Sequence, residues 1–255
     1  MAPLKKMSTN LKISVITVCY NSAAYLEKAV ESVLSQNYDN FEYLIIDGGS
    51  TDGTPDIIRR YEDRLAYWTS EPDRGIYDAM NKGIARASGD IVGIINSDDY
   101  YFPEALQKVA DAFEGKSLDE YIFWGDVQYE HRGRVRGFRP AKVKTGAFAP
   151  HPSMFCPRRI YERIGTYDAS FRLLGDYDFM YRAVNKFNLK PLYVPELIAF
   201  FREGGLADSN ILSCLRDELK VKRRYGQPWF IAYPVFFLKI LKNAPRILNN
   251  RGFRL

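Results

Sequence analysis

Between Ile13 and Ile95 the chain alternates short, almost wholly apolar runs with segments whose apolar residues recur every three or four positions. This constrains the fold strongly: buried strands separated by crossover helices make a mainly parallel sheet, because each connection must cross one face before the next strand begins. Ile13–Cys19 predicts the first strand, 41–46 the second, 65–69 the third and 91–95 the fourth. Between them, Tyr25, Leu26, Ala29, Val30, Val33 and Leu34 trace one helix face behind an Asn21 or Ser22 cap. Thr54-Pro55 opens a second helix as cap and first-turn proline, 77–87 forms a third before Gly89, and Pro103 opens another.

After Glu114 the alternation stops. Tyr121–Tyr129 predicts a strand, 131–140 a basic loop or hairpin, and 152–157 a short segment entering a helix over Arg158–Ile164. A helix over 176–187, a strand over 192–201 and a helix over 209–225 follow, so the second half is expected to be mixed or antiparallel. With 255 residues, 46% of them apolar, the chain can bury one large α/β core and carry an appendage. The pattern draws a tail over 1–10, a domain over 11–205 with halves 11–115 and 116–205, and a basic, aromatic helical tail over 206–255.

Charge divides the chain unevenly. Ten Lys and Arg face only Asp217 and Glu218 over 216–255, so this stretch carries +8 against a whole-chain +5, and 1–215 carries −3. Within it, 229–241 is rich in Trp, Tyr and Phe, too short to span a bilayer, and interrupted by Pro234 and Lys239. Lys222, Arg223 and Arg224 precede the run, and Lys242, Arg246, Arg251 and Arg254 follow it. Residues 222–255 therefore suit the surface of an anionic membrane. Covering the core or a subunit contact is the competing use, which leaves a homodimer open. Aromatic residues gathered in one apolar run argue against a nucleic-acid partner. Cys19, Cys156 and Cys214 are far apart and lack a C-x-x-C pair, so they read as core thiols in a reducing compartment. Lys5 and Lys6 lead into polar Ser8-Thr9-Asn10 rather than the apolar stretch of a signal peptide. The expected location is the cytoplasm, peripheral on the inner face of the membrane.

Open α/β sheets bind ligands beyond the carboxyl ends of their strands. Three such ends carry polar candidates: Tyr20-Asn21, Asp47, and Asn96-Ser97-Asp98-Asp99. A ring beside a carboxylate can hold a uracil-like base, although Tyr20 could equally pack and Asp47 could equally start a turn. Asp98-Asp99 follows the apolar run 91–95, so the pair must reach solvent at the sheet rim or hold a cation such as Mg²⁺ or Mn²⁺ with substrate phosphates. Gly175-Asp176-Tyr177-Asp178 stands at a helix start, where a carboxylate serves as a cap or as a general base. His151, between Pro150 and Pro152, shapes a loop or contacts a ligand, and Arg74 and Arg202 suit phosphates or surface ion pairs.

The ordered set closely resembles glycosyltransferase family 2. It comprises Tyr20-Asn21, Asp47-Gly48-Gly49-Ser50-Thr51-Asp52-Gly53-Thr54, the segment from Gly75 to Gly83 (Gly-Ile-Tyr-Asp-Ala-Met-Asn-Lys-Gly), Asn96-Ser97-Asp98-Asp99 and Gly175-Asp176-Tyr177-Asp178-Phe179. The resemblance covers roughly 12–205. It implies a GT-A fold, Rossmann-like with a mainly parallel sheet, whose 11–115 half binds nucleotide and whose mixed 116–205 half binds acceptor. It also implies an inverting transferase that moves a sugar from a nucleotide diphosphate, UDP or dTDP favoured, to a hydroxyl of a glycan or lipid-linked acceptor. On the resemblance Tyr20 stacks on the donor base, Asp47 takes the base N–H, and Asn96-x-Asp98 stands where the family has D-x-D. Asp98 is then the metal ligand for Mn²⁺ or Mg²⁺, with Asp99 a supporting ligand or orienter. Asp176 is the catalytic base, and His151, Arg74 and Arg202 lie near diphosphate or acceptor. Asn96 and Gly175 each replace an acid of the family pattern, which keeps a non-catalytic sugar-binding relative in view. A nicotinamide-dependent oxidoreductase is disfavoured, because Cys19-Tyr20-Asn21-Ser22-Ala23-Ala24 lacks the G-x-G-x-x-G turn that a pyrophosphate needs after the first strand.

Overall fold

The computed structural model describes residues 11–143, 149–205 and 210–251. The tail expected over 1–10, and Arg254, lie outside them. β1 (Ile13–Cys19), β2 (Phe41–Asp47), β3 (Tyr67–Ser70) and β4 (Ile91–Asn96) are parallel and ordered β3-β2-β1-β4. Cys19 pairs with Asp47 and Val18 with Asn96, so β1, β2 and β4 leave the sheet at one level.

The crossovers are α1 (Leu26–Leu34), α2 (Thr54–Arg60) and α3 (Ile76–Arg86). Alternation along β1 separates two apolar layers. Ile13 and Val15 pack with Leu26, Val30 and Val33 of α1, while Ile16 and Val18 pack with Met80 and Ile84 of α3. Each such fully buried aliphatic side chain contributes about 1.5–3 kcal/mol. Neither expected cap is used. The Ser22 carbonyl accepts the Tyr25 and Leu26 N–H groups, Asn21 Oδ1 accepts the Thr51 N–H at 2.9 Å, and Asp52 rather than Thr54 accepts at the start of α2. These side chains are spent on tying the loops after β1 and β2 together.

Beyond β4 the sheet is mixed, as the loss of alternation predicts. After β5 (Tyr100–Tyr101) and α4 (Ala105–Ala112) come β6 (Tyr121–Tyr129), β7 (Gly133–Val135) and β8 (Met154–Pro157). β8 runs antiparallel to both β4 and β6, and β7 closes a hairpin on β6. Gly93 on β4 pairs with Phe155, and a Cβ there would fall 2.3 Å from the Phe155 ring, so the absent side chain admits the aromatic. α5 (Arg158–Ile164) and α6 (Gly175–Asn185) cover the α3 layer, and β9 (Lys190–Phe201) joins β6 in parallel and β5 in antiparallel. One sheet thus runs through both 11–115 and 116–205.

α7 (Ile211–Arg224) and α8 (Trp229–Arg251) pack together at the C-terminal end. Glu218 accepts from both Lys222, which is 2% exposed, and Lys239 of α8. Pairing both cations with one carboxylate is what makes burial of Lys222 tolerable. Pro234 and Pro245 lie inside α8, which continues well past the expected run. Among the described residues no helix is long and apolar enough to cross a membrane. All three cysteines are free thiols.

Candidate functional site

The aligned ends of β1, β2 and β4 form a polar rim. Tyr20 follows β1 and is 63% exposed, and Asn21 holds the turn in the left-handed region at φ 48°. Asp47 behaves otherwise: its side chain has no exposed surface. Oδ2 accepts the Ser50 N–H at 2.9 Å and the Ser70 hydroxyl at 2.6 Å, and Oδ1 accepts the Ser50 hydroxyl at 2.5 Å. The carboxylate therefore organises the turn after β2. Its enclosed oxygens present no free face for the base contact expected of it.

The end of β4 gives each polar residue a separate task. Asn96 Oδ1 is buried without a hydrogen-bond partner, while Asn96 Nδ2 reaches Asp99 Oδ2 at 3.4 Å. Asp99 is buried, and its Oδ1 accepts the Arg202 N–H at 2.8 Å. Burial, then the neighbouring Asp98 charge, holds the Asp99 carboxyl well above its ordinary range. Asp99 thus ties β4 to the end of β9, an arrangement that suits an orienter better than a supporting ligand. Asp98 stays half-buried and reachable, its carboxyl raised by burial and pulled back by its own N–H and the Arg202 guanidinium. Among the described residues no three His, Cys, Asp or Glu side chains converge to hold a metal. A divalent ion would therefore need Asp98, the orphaned Asn96 oxygen and substrate phosphates together, a donor set that suits a hard cation.

A second group assembles around the start of α6. Asp176, half-buried at the second position of the helix, accepts the Tyr77 hydroxyl at 3.0 Å and the Tyr177 N–H at 2.8 Å. The Leu173 carbonyl lies 2.8 Å from the same hydroxyl, so the single Tyr77 proton is shared between it and Asp176. A Cβ on Gly175 would fall 2.8–2.9 Å from the Tyr77 ring, so Gly175 is what lets this tyrosine reach Asp176. His151 is buried, with Nε2 3.4 Å from the Tyr167 hydroxyl. Burial lowers its pKa and the Asp176 charge opposes the shift. Asp178 is fully buried against Arg224 and Tyr225 of the C-terminal segment, at 3.2 Å each. It anchors α7 and is not available as a base. The Tyr129 hydroxyl is raised mainly by burial, opposed by the Arg132 and Arg139 charges and reinforced by those of Asp99 and Asp176.

Arg74, its side chain 84% exposed, pairs with Asp78 one turn later at 2.8 Å. Arg202 stacks its guanidinium 3.9 Å above the Tyr25 ring. Glu203 accepts both the His131 and Arg132 N–H groups and so clamps the β6–β7 turn to the end of β9. No local pattern assigns Tyr77 or Glu203 these partners: Tyr77 lies within the segment from Gly75 to Gly83, 99 positions from Asp176.

The family model described as glycosyl transferase family 2 matches residues 14–177. An uncharacterized glycosyltransferase of Mycobacterium tuberculosis (strain H37Rv) is 36% identical over 230 residues, covering 86% of this chain and 87% of that protein. The PGL/p-HBAD biosynthesis glycosyltransferase of Mycobacterium bovis (strain BCG / Pasteur 1173P2) is 31% identical over 220 residues, covering 84% and 86%. Among solved structures, S. aureus TarS aligns with TM-score 0.68 at 17% identity over 94% of this chain, which spans 48% of TarS. The mannosyltransferase PcManGT from Pyrobaculum calidifontis, in complex with GDP-Man and Mn²⁺, aligns with TM-score 0.65 at 18% identity over 92% of this chain and 75% of that one. At such identities the likeness is one of fold, the GT-A arrangement of a mixed α/β sheet between helical layers. Because the family model spans more than half of the chain and the relatives exceed 30% identity over most of both lengths, this chain belongs to glycosyl transferase family 2.

Proposed function

We propose that the chain transfers a sugar from a nucleotide diphosphate to a hydroxyl of a glycan or lipid-linked acceptor by a single inverting displacement. The observation that carries this reading is the end of β4, where a buried oxygen of Asn96 lacks a partner two residues before the reachable Asp98. A buried acceptor without a donor is costly unless a ligand completes it, and a donor ribose or a cation would do so. The TarS fragment solved with UDP, TM-score 0.67 at 16% identity, and PcManGT solved with GDP-Man and Mn²⁺ share this fold, which supports a nucleotide diphosphate donor.

In this mechanism Tyr20 stacks on the base, and Asp98 with Asn96 Oδ1 would hold Mn²⁺ or Mg²⁺ against the diphosphate. A divalent ion there supplies Lewis-acid stabilisation of the departing diphosphate. Asp176 accepts the proton of the acceptor hydroxyl as its oxygen bonds to the anomeric carbon. The bond from that carbon to the phosphate oxygen breaks on the opposite face, and its electron pair leaves with the nucleotide. Tyr77 holds Asp176 by one oxygen and leaves the other for the acceptor. Arg74 would contact the donor, and His151 and Arg202 the diphosphate or acceptor. Release of nucleoside diphosphate from a panel of nucleotide sugars, with Mn²⁺, Mg²⁺ or chelator, tests the reading. Metal-dependent release from at least one donor is expected, and its absence across uridine, thymidine and guanosine donors contradicts it.

The C-terminal helices support a peripheral place on an anionic membrane, the inner face of the cytoplasmic one. Ala232, Phe236 and Lys239 of α8 face Leu215, Glu218 and Leu219 of α7. The opposite side exposes Phe230, Tyr233, Phe237, Leu238 and Leu241, an uncharged apolar stripe flanked by basic residues. A monomer in water gains nothing from such a stripe, whereas a lipid interface accepts it.

A further inference from the structure

The loop between β3 and α3 brings a carboxylate to the Tyr20 ring. Gly48 follows Asp47, and its N–H donates to the Cys19 carbonyl at 2.9 Å, so β1 and β2 turn away from the sheet together. A Cβ placed on Gly48 would fall 2.5 Å from Asp73 Oδ2, 3.2 Å from Asp73 Cγ and 3.4 Å from Tyr20 Cδ2. Asp73 and Tyr20 therefore border the same small space over Gly48, and a side chain at 48 would have to displace the carboxylate. Asp73 Oδ1 accepts the Gly75 N–H at 2.7 Å, which fixes the group with Oδ2 on the Gly48 side. Asp73 is half-buried and reachable, whereas Asp47 is closed within its turn.

We propose that Asp73 determines base specificity, accepting the imide N–H of a uracil, thymine or guanine base that stacks on Tyr20. The inference rests on the nucleotide-sugar reading above and deepens it. A carboxylate accepts hydrogen bonds and donates none, so it matches uracil N3–H or guanine N1–H. Cytosine N3 and adenine N1 are acceptors and would face the charge with no proton between. One hydrogen bond to a charged group corresponds to about 10–100-fold in affinity.

The test titrates UDP, CDP, GDP and ADP into the full chain with Mn²⁺, for the unaltered protein, Asp73→Asn and Gly48→Ala, with thermal melting as the fold control. Asp73→Asn supplies an amide that can donate as well as accept. Gly48→Ala pushes the carboxylate aside while keeping its charge, and it decides the matter if Asp73→Asn fails to fold. The unaltered chain is expected to favour UDP over CDP, or GDP over ADP, by about 10–100-fold, and the variants to shrink that ratio to about threefold or less. Equal ratios in all three proteins, or no preference in the unaltered chain, overturn the role of Asp73 and leave nucleotide binding standing. Failure of every nucleoside diphosphate to bind overturns the nucleotide-sugar reading as well.

Discussion

The parallel side of the sheet and the mixed side hold their polar residues in different ways. At β1, β2 and β4, strands in register stop at one level, so Tyr20, Asp47 and Asn96 meet because of where apolar runs end. On the other side Asp176 starts a helix and is fixed by Tyr77, while Asp178 is fixed by Arg224 and Tyr225. Strand ends bring residues together through backbone pairing. A helix-start carboxylate acquires its role from distant side chains that no local pattern names. The proposed division of labour follows the same line, with donor and cation at the strand ends and proton removal at α6.

That division can be broken by substitution. Asp98→Asn, at a strand end, is expected to abolish metal-dependent transfer, since Asp99 is turned onto Arg202 and Asn96 carries no charge. A near-normal rate with unchanged Mn²⁺ dependence would place the cation elsewhere. Asp176→Asn should lower transfer by about 10²–10⁴-fold at saturating donor and acceptor, as loss of a general base does. Unchanged turnover would remove α6 from the chemistry. Replacing exposed Phe237, Leu238 and Leu241 together by Ser should cut sedimentation with anionic vesicles at least about tenfold, given 1.5–3 kcal/mol for each fully transferred apolar side chain. Donor hydrolysis should persist, and equal sedimentation would assign the stripe to a subunit contact. Tyr77→Phe, which removes the one hydroxyl proton shared by Asp176 and the Leu173 carbonyl, should lower kcat by about fivefold to tenfold with donor KM unchanged. A matching rise in donor KM would put Tyr77 with the strand-end rim instead.

Much of the parallel side was legible because its elements are local. Ile13–Cys19 is a strand with the bounds its apolar run suggests, and Tyr121–Tyr129 and Arg158–Ile164 likewise form where the pattern puts them. Caps were less legible: Asn21 and Asp52 bond to neighbouring loops, and sequence does not show that Thr51 lies beside Asn21. β5 leaves no sequence signal, because two residues make no pattern and its pairing with Ala199 and Phe200 comes from a distant strand. At the candidate site, residue types at strand ends could be read, but their exposure could not. Asp47 and Asp98 are both acids at such ends, yet Ser50 and Ser70 enclose the first and leave the second reachable. Gly175 looked like a missing acid until the Tyr77 ring accounted for it.

The proposed function divides donor binding, at the end of β4, from proton removal, at the start of α6. Calorimetric titration of the nucleoside diphosphate released in the donor panel, with Mn²⁺, into the unaltered chain, Asp98→Asn and Asp176→Asn tests it most directly. The account predicts affinity lost by at least about tenfold in Asp98→Asn, in line with removing a charged partner, and kept within about twofold in Asp176→Asn. Equal losses in both variants, or a loss confined to Asp176→Asn, would contradict it.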